Sequence, residues 1–351
     1  MAIKVIHIEG GLGNQMACYA VYVATKYSNP YDDIYVDTYI YDIDEAGEIV
    51  SMWNGYELEK IFGVHIPNIK RLFSDKQIKE QIDFLKKSKF WENNWNYDDV
   101  FIEMMNHYGY KFQKAYGNVG ENTEEKNSPQ AIIRKACRKF GAGTAKTRFG
   151  YEMKKIIHTI YRKFSGDCGL YLLENRNGEF FYNITLDFMK SPKLHQLIGE
   201  EVRKGLLFKE PTDEANIEYL KFIRLCNSVS IHIRRSDYLQ YNEDCYKYGY
   251  FNKCVKFIKS KVEDPVFFVF SDDLSWCKKN RVQLGLTEKD KVYFVDVNSG
   301  ADSYKDMQLM SNCKHNIATK SSFGWWASFL NQNKNKITCC QKGEYVCTNQ
   351  F

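Results

Sequence analysis

From residue 211 to residue 340 the chain alternates short β-rich runs with helix-length stretches, and that alternation restricts the fold to a parallel sheet covered by helices. The clearest strand is Val229-Ser230-Ile231-His232-Ile233. Its period-two pattern places Val229, Ile231 and Ile233 on one face and Ser230, His232 and Arg234 on the other. Further strands are expected at 265–270, 292–295, 315–319 and 336–340. Helices are expected at 211–225, 244–261, 302–313 and 321–331. The N-terminal end starts in the same way. A strand at 3–8 leads through a glycine loop into an apolar helix at 16–24, then a strand at 34–36 after the turn signal Asn29-Pro30.

Two arginines, Arg234 and Arg235, stand at the carboxyl end of the 229–233 strand, where ligands of open α/β sheets bind. Arginine's planar fork suits phosphate and keeps its charge at any working pH. Asp237 follows two residues later as an acid or base. The pattern predicts a site for an anionic, phosphorylated ligand; the alternative is a surface Arg-Arg-x-Asp ion-pair cluster. Thr319-Lys320-Ser321-Ser322 joins a strand to a helix, and small hydroxyls with open N–H groups at a helix start attract anions. Trp325 and Trp326 are expected to anchor that helix in the core. Asp296, at the end of its own strand, can accept hydrogen bonds from guanine's N1–H and exocyclic amine, or cap a helix. Ser271-Asp272-Asp273 invites a metal reading, but its place at a helix start makes the aspartates caps. The loop Gly10-Gly11-Leu12-Gly13-Asn14-Gln15 lets a ligand approach the backbone. Met16 occupies the place of the third glycine of a dinucleotide fingerprint, which argues against a nicotinamide oxidoreductase.

The net charge of +5 on 351 residues is too small for a nucleic-acid footprint. The 11 cysteines show no C-x-x-C spacing and are read as reduced, buried thiols of a cytosolic chain. The first residues are read as a strand, not a leader, and no apolar run is long enough to span a bilayer. Residues 50–120 are aromatic-rich and less regular. Trp53, Tyr56, Trp91, Trp95, Tyr97, Tyr108 and Tyr110 are read first as core and loop anchors, and second as surfaces for sugar stacking. In 126–163, eleven Lys or Arg face one acidic residue, Glu152. Apolar residues recur there at 153, 156, 157, 160, 161 and 164, one helical face. Such a helix packs on the core with a solvated cationic face, or lies on an anionic membrane.

Five blocks carry a resemblance: residues 10–16, 54–63, 232–238, 306–310 and 321–326. In this order, across nearly the whole chain, they resemble the glycosyltransferase family 11 α-1,2-fucosyltransferases of bacterial type. Residues 64–210 match least, and acceptor choice is expected there. The resemblance implies an α/β fold of GT-B type, two Rossmann-like domains facing a cleft, here 1–210 on the acceptor side and 211–351 holding GDP-L-fucose. It implies inverting transfer of fucose to the 2-hydroxyl of a galactose, without a metal or other cofactor. Arg234 is implied at the donor β-phosphate, His232 at the nucleotide, Asp296 at guanine, and Ser321 and Ser322 at phosphate. Asn14 is implied in catalysis with Arg234, and Asp237 is the candidate base. Arg235, Phe323, Gly11 and Gly13 complete the expected donor contacts. Ala17-Cys18, Gly324 and Ala327-Ser328 depart from the usual family residues and are read as packing changes.

The lack of an apolar span is read as a bacterial-type enzyme acting in the cytosol, where galactose-containing acceptors include lipid-linked O-antigen precursors, and this reading would place the 126–163 segment at the inner membrane. The alternatives are a transferase using another GDP-sugar, the oxidoreductase already mentioned, and a catalytically dead nucleotide-sugar binding protein.

Overall fold

The computed structural model describes residues 3–46, 50, 53–116, 178–184, 186, 189, 192–235, 239, 246, 249–341 and 349–350. The chain forms two compact units, Met1–Gly205 and Leu206–Phe351, each with its own parallel sheet. The α/β class and the two Rossmann-like sheets are therefore as expected. The 126–163 segment lies outside the described residues. No helix among those described is long and apolar enough to cross a membrane.

The first unit begins with β1 (Ile3–His7), α1 (Leu12–Ser28) and β2 (Asp33–Asp37), followed by α2 (Leu58–Phe62), α3 (Asp75–Ser88) and α4 (Tyr97–His107). It ends with β3 (Gln113–Tyr116), β4 (Glu179–Tyr182) and α5 (Pro192–Gly205). The strand order is β2-β1-β4-β3, so the chain reverses direction across the sheet beside β1. The 50–120 stretch is more regular than expected. Ser74 and Gln77 close a capping box that starts α3. Tyr97 is core, and Trp53, Trp91, Trp95 and Tyr110 pack against that core, which is the anchoring role. Buried Lys4 on β1 bonds Glu179 on β4 at 2.6 Å and pairs with Asp32 at 3.6 Å.

The second unit contains α6 (Glu214–Leu225), β5 (Asn227–Ile233), α7 (Tyr250–Lys259), β6 (Pro265–Ser271), α8 (Leu274–Lys279) and β7 (Lys291–Phe294). It continues with α9 (Tyr304–Asn312), β8 (His315–Ala318), α10 (Ser322–Leu330), β9 (Thr338–Cys340) and β10 (Asn349–Gln350). The strand order is β10-β9-β8-β5-β6-β7. From β5 the chain steps to β6 and β7, then returns to place β8 on the other side of β5. The topological switch point therefore lies between β5 and β8. Val229, Ile231 and Ile233 join the core, while Ser230 and His232 on the other face are buried too, as a parallel sheet covered on both sides requires.

Of the helix expected over 244–261, α7 accounts for Tyr250–Lys259 after Gly249 at φ 68°, while 244, 245, 247 and 248 lie outside the described residues. One expectation needs correction. The cysteines are not all reduced. Cys18, Cys226, Cys254, Cys277, Cys313 and Cys339 are thiols, but Cys340 is disulfide-bonded, to a partner not among the described residues.

Candidate functional site

The switch point brings the ends of β5 and β8 side by side, and with them most of the expected anion-binding groups. His232 lies near the end of β5 and Arg234 directly follows it; Thr319, Ser321 and Ser322 follow β8. The Thr319 N–H bonds the His232 carbonyl and the Arg234 N–H bonds Thr319 Oγ1, both at 3.3 Å. Thr319 Oγ1 also lies 3.3 Å from His232 Nδ1. That hydroxyl, which also accepts the Arg234 N–H, can pair with Nδ1 in either ring tautomer and fixes the position of the imidazole. Burial, then the charge of Arg234, drives the His232 pKa down to about 3, so the ring is neutral.

The two arginines have different surroundings. Arg234 Nη1 lies 3.3 Å from Asp272 Oδ2 and keeps 38% of its side chain exposed. Arg235 keeps only 13%: its Nε lies 3.1 Å from Asp273 Oδ2. Its guanidinium stacks 3.7 Å over the Trp276 ring and 5.0 Å from that of Tyr246. Asp273 also accepts the Trp276 N–H at 3.0 Å, so it caps α8 as expected. The ion-pair cluster and the anion site thus coexist. Arg235 ties the β5 end to α8, and Arg234 is the more open cation. Asp237 lies outside the described residues.

α10 starts with an extended Ser321 whose side chain makes no capping bond, and its first turn carries no acidic residue. The helix start therefore keeps its positive end. Trp325 and Trp326 are buried and anchor the helix, as expected. Phe323 tilts over His232 at a centroid distance of 5.8 Å. Asp296 is apart from this group: it follows β7, is 59% exposed, and lies 3.6 Å from Lys278 Nζ.

Sequence reasoning missed a partly buried polar chain near the same strand end. Asn298 and Asn216 exchange hydrogen bonds of 2.8 and 3.0 Å, and Asn298 donates to Asp306 at 2.7 Å. Burial pushes the Asp306 pKa up to about 7 against that bond. The sequence signal was present only as part of the 306–310 block.

Gly11, Gly13 and Asn14 belong to the first unit. Gly10 adopts φ 82°, and a Cβ there would meet Asn14 Nδ2 at 2.6 Å. Buried Gln15 bonds the Gly10 carbonyl at 3.0 Å, the Gly55 carbonyl at 2.7 Å and the Glu57 N–H at 2.8 Å. That single side chain joins the 10–16 and 54–63 blocks, and leaves Asn14 exposed at the start of α1.

The model of the family described as Glycosyl transferase family 11 matches residues 111–344. The chain belongs to glycosyl transferase family 11. The match includes the 232–238, 306–310 and 321–326 blocks; the glycine loop and the 54–63 block precede it. The chain is 40% identical over 121 residues to an alpha-1,2-colitosyltransferase of Escherichia coli, covering 33% of this chain and 40% of that protein. It is 31% identical over 130 residues to the O-antigen biosynthesis glycosyltransferase WbnK of Escherichia coli, covering 35% and 41%. It is 29% identical over 159 residues to the galactoside alpha-(1,2)-fucosyltransferase 1 of Alouatta belzebul, covering 43% and 40%. The matches thus span about two fifths of each of these relatives. Among solved structures, the fucosyltransferase NodZ from Bradyrhizobium aligns with a TM-score of 0.44 at 12% identity, over 94% of this chain and 92% of that one.

Proposed function

We propose that this family 11 member transfers L-fucose from GDP-β-L-fucose to the 2-hydroxyl of a galactose in a glycan acceptor, with inversion. The carrying observation is the convergence at the β5–β8 switch point of Arg234, neutral His232 and the α10 start at Ser321 and Ser322. These are donors for a diphosphate, placed where parallel sheets bind nucleotides. The acceptor hydroxyl attacks C1 of fucose from the face opposite GDP, the bond from C1 to the β-phosphate oxygen breaks, and GDP departs. Arg234 and the α10 N–H groups stabilise the charge that develops on the phosphate. His232, Phe323, Gly11 and Gly13 contact the donor, Asp296 reads guanine, and Asn14 serves catalysis with Arg234. Asp237 is the proposed base. In this reading Arg235 acts by holding its neighbours, and Arg234 and the helix start answer the phosphate charge without a metal or cofactor.

The setting we propose is synthesis of a bacterial surface polysaccharide, with 126–163 touching an anionic membrane from the cytosolic side. WbnK's role in O-antigen biosynthesis supports the polysaccharide part. A second reading keeps the GDP site and changes the sugar; the 40% identity to a colitosyltransferase favours it. The test is GDP release from GDP-L-fucose, with EDTA present, across a panel of β-galactosides, followed by NMR of the product. An α-1,2-fucoside supports the reading. Turnover of another GDP-sugar, with none of GDP-fucose, replaces the first reading with the second.

A further inference from the structure

The first unit holds a built cluster that the donor site does not use. It stands at the carboxyl ends of β1 and β2, beside that sheet's own switch point. His7 ends β1 and Asp37 ends β2; both are buried, with His7 Nδ1 2.7 Å from Asp37 Oδ2. Asp37 also accepts the Tyr97 hydroxyl at 2.8 Å and the Tyr39 N–H at 2.9 Å. On its other side, His7 Nε2 lies 3.4 Å from Glu9 Oε2. Burial alone would lower the His7 pKa, but the hydrogen bonds and charges of Asp37 and Glu9 outweigh it and raise it to about 9. At neutral pH the cluster is an imidazolium between two carboxylates.

Glu9 differs from Asp37 in that 25% of its side chain meets solvent. Its Oε2 accepts the Trp95 indole N–H at 3.1 Å. Trp95 is held at φ 55° directly after Asn94 at φ 51°, and Asn96 N–H closes the turn on the Asn93 carbonyl at 3.2 Å. A tryptophan in the left-handed region is costly and persists only where its surroundings dictate it. Trp53 meets Trp95 edge-on at 6.4 Å and Tyr41 at 6.1 Å, and the Tyr41 hydroxyl bonds the Gly10 carbonyl at 2.9 Å. One half-buried indole, Trp95, thus bonds the partly exposed Glu9 carboxylate next to the glycine loop, and a second, Trp53, meets the first edge-on. A carboxylate accepts hydroxyl protons, and an indole face packs against the C–H face of a pyranose.

We propose that Glu9, Trp53 and Trp95 form a subsite for a neutral hexose ring of the acceptor glycan, with Glu9 accepting hydrogen bonds from its hydroxyls. The ligand class rests on the glycosyltransferase reading; the subsite itself is testable without turnover. The experiment is saturation-transfer NMR of lactose on the full chain, for the wild type, Glu9→Gln and Trp53→Leu. GDP titration of the same samples serves as a separate measure of the donor site. The proposal expects lactose signal from the wild type, its loss in both variants, and an apparent lactose Kd raised about tenfold or more. Equal lactose signal in all three proteins overturns it, and so does no signal from the wild type at millimolar lactose. A wild type that binds lactose but not GDP leaves the subsite standing and sinks the donor reading instead.

Discussion

Gly324 lies against His232 so closely that a side chain there must displace the imidazole: a Cβ would stand 2.5 Å from Nδ1 and 3.0 Å from Cγ. What reads in the sequence as a packing change is therefore a condition for the ring's position. Gly324→Ala or Gly324→Ser is expected to shift the ring and break its contact with Thr319. GDP affinity should fall about tenfold, as loss of one or two hydrogen bonds implies. In a His232→Ala background the same substitution should change GDP affinity little. A titration double-mutant cycle reads this coupling, and additive losses would remove Gly324 from the account.

Arg234 and Arg235 should separate by readout. Arg234→Ala is expected to lower turnover roughly 10²–10³-fold with little loss of stability, because one preorganised charge donor is worth ~3 kcal/mol at the transition state. Arg235→Ala loses the Trp276 stack and the Asp273 pair, so it should cost roughly 1–3 kcal/mol of folding stability. Its turnover per folded molecule should fall less than that of Arg234→Ala. Steady-state GDP release and urea unfolding on both variants check the pair of outcomes.

His7 should contribute to the alkaline side of the stability profile, beside the thiols of Cys18, Cys277 and Cys313, which burial also pushes up. Its folded pKa is raised to about 9 from 6.5, so its contribution is complete below pH 6.5 and is lost as pH rises through 9. A shift of that size corresponds to about 3 kcal/mol. At lower pH, His232, lowered to about 3, and Asp306, raised to about 7, act in opposite directions, so no single limb is expected there. Urea unfolding at pH 6.5 and 9.5 should show the decline in the wild type and a smaller one in His7→Gln. Equal declines would contradict the assignment.

The Lys4–Glu179 pair holds β4 against β1 across 175 residues of sequence. Both side chains are fully buried. Lys4→Met removes the buried cation that Glu179 and Asp32 face, and should therefore cost about 3–5 kcal/mol. Chemical denaturation measures it, and a loss under 1 kcal/mol would show that Asp32 and the surroundings rearrange.

Much of the second unit was legible because its strands are long or strongly patterned: β5 by its period of two, β6 by its apolar run, α10 by paired tryptophans after two serines. The first unit was harder to read. β3 and β4 have four residues each, and Glu179 meets the buried cation of Lys4 from β1, a pairing that no local pattern encodes. α3 announced itself by Ser74 and Gln77, a capping box passed over among aromatic residues. At the site, residue types pointed to Arg234, His232 and Ser322. They did not show that Arg235 is held by Trp276, or that Asp306 is bonded by Asn298, because both depend on side chains from other elements.

The most direct test is calorimetric titration of GDP, with EDTA present, into the wild type and Arg234→Ala. A diphosphate held at the β5–β8 switch point predicts saturable binding by the wild type and at least about tenfold weaker binding by the variant. No binding by the wild type, or equal affinity in both proteins, would contradict a nucleotide-diphosphate site there.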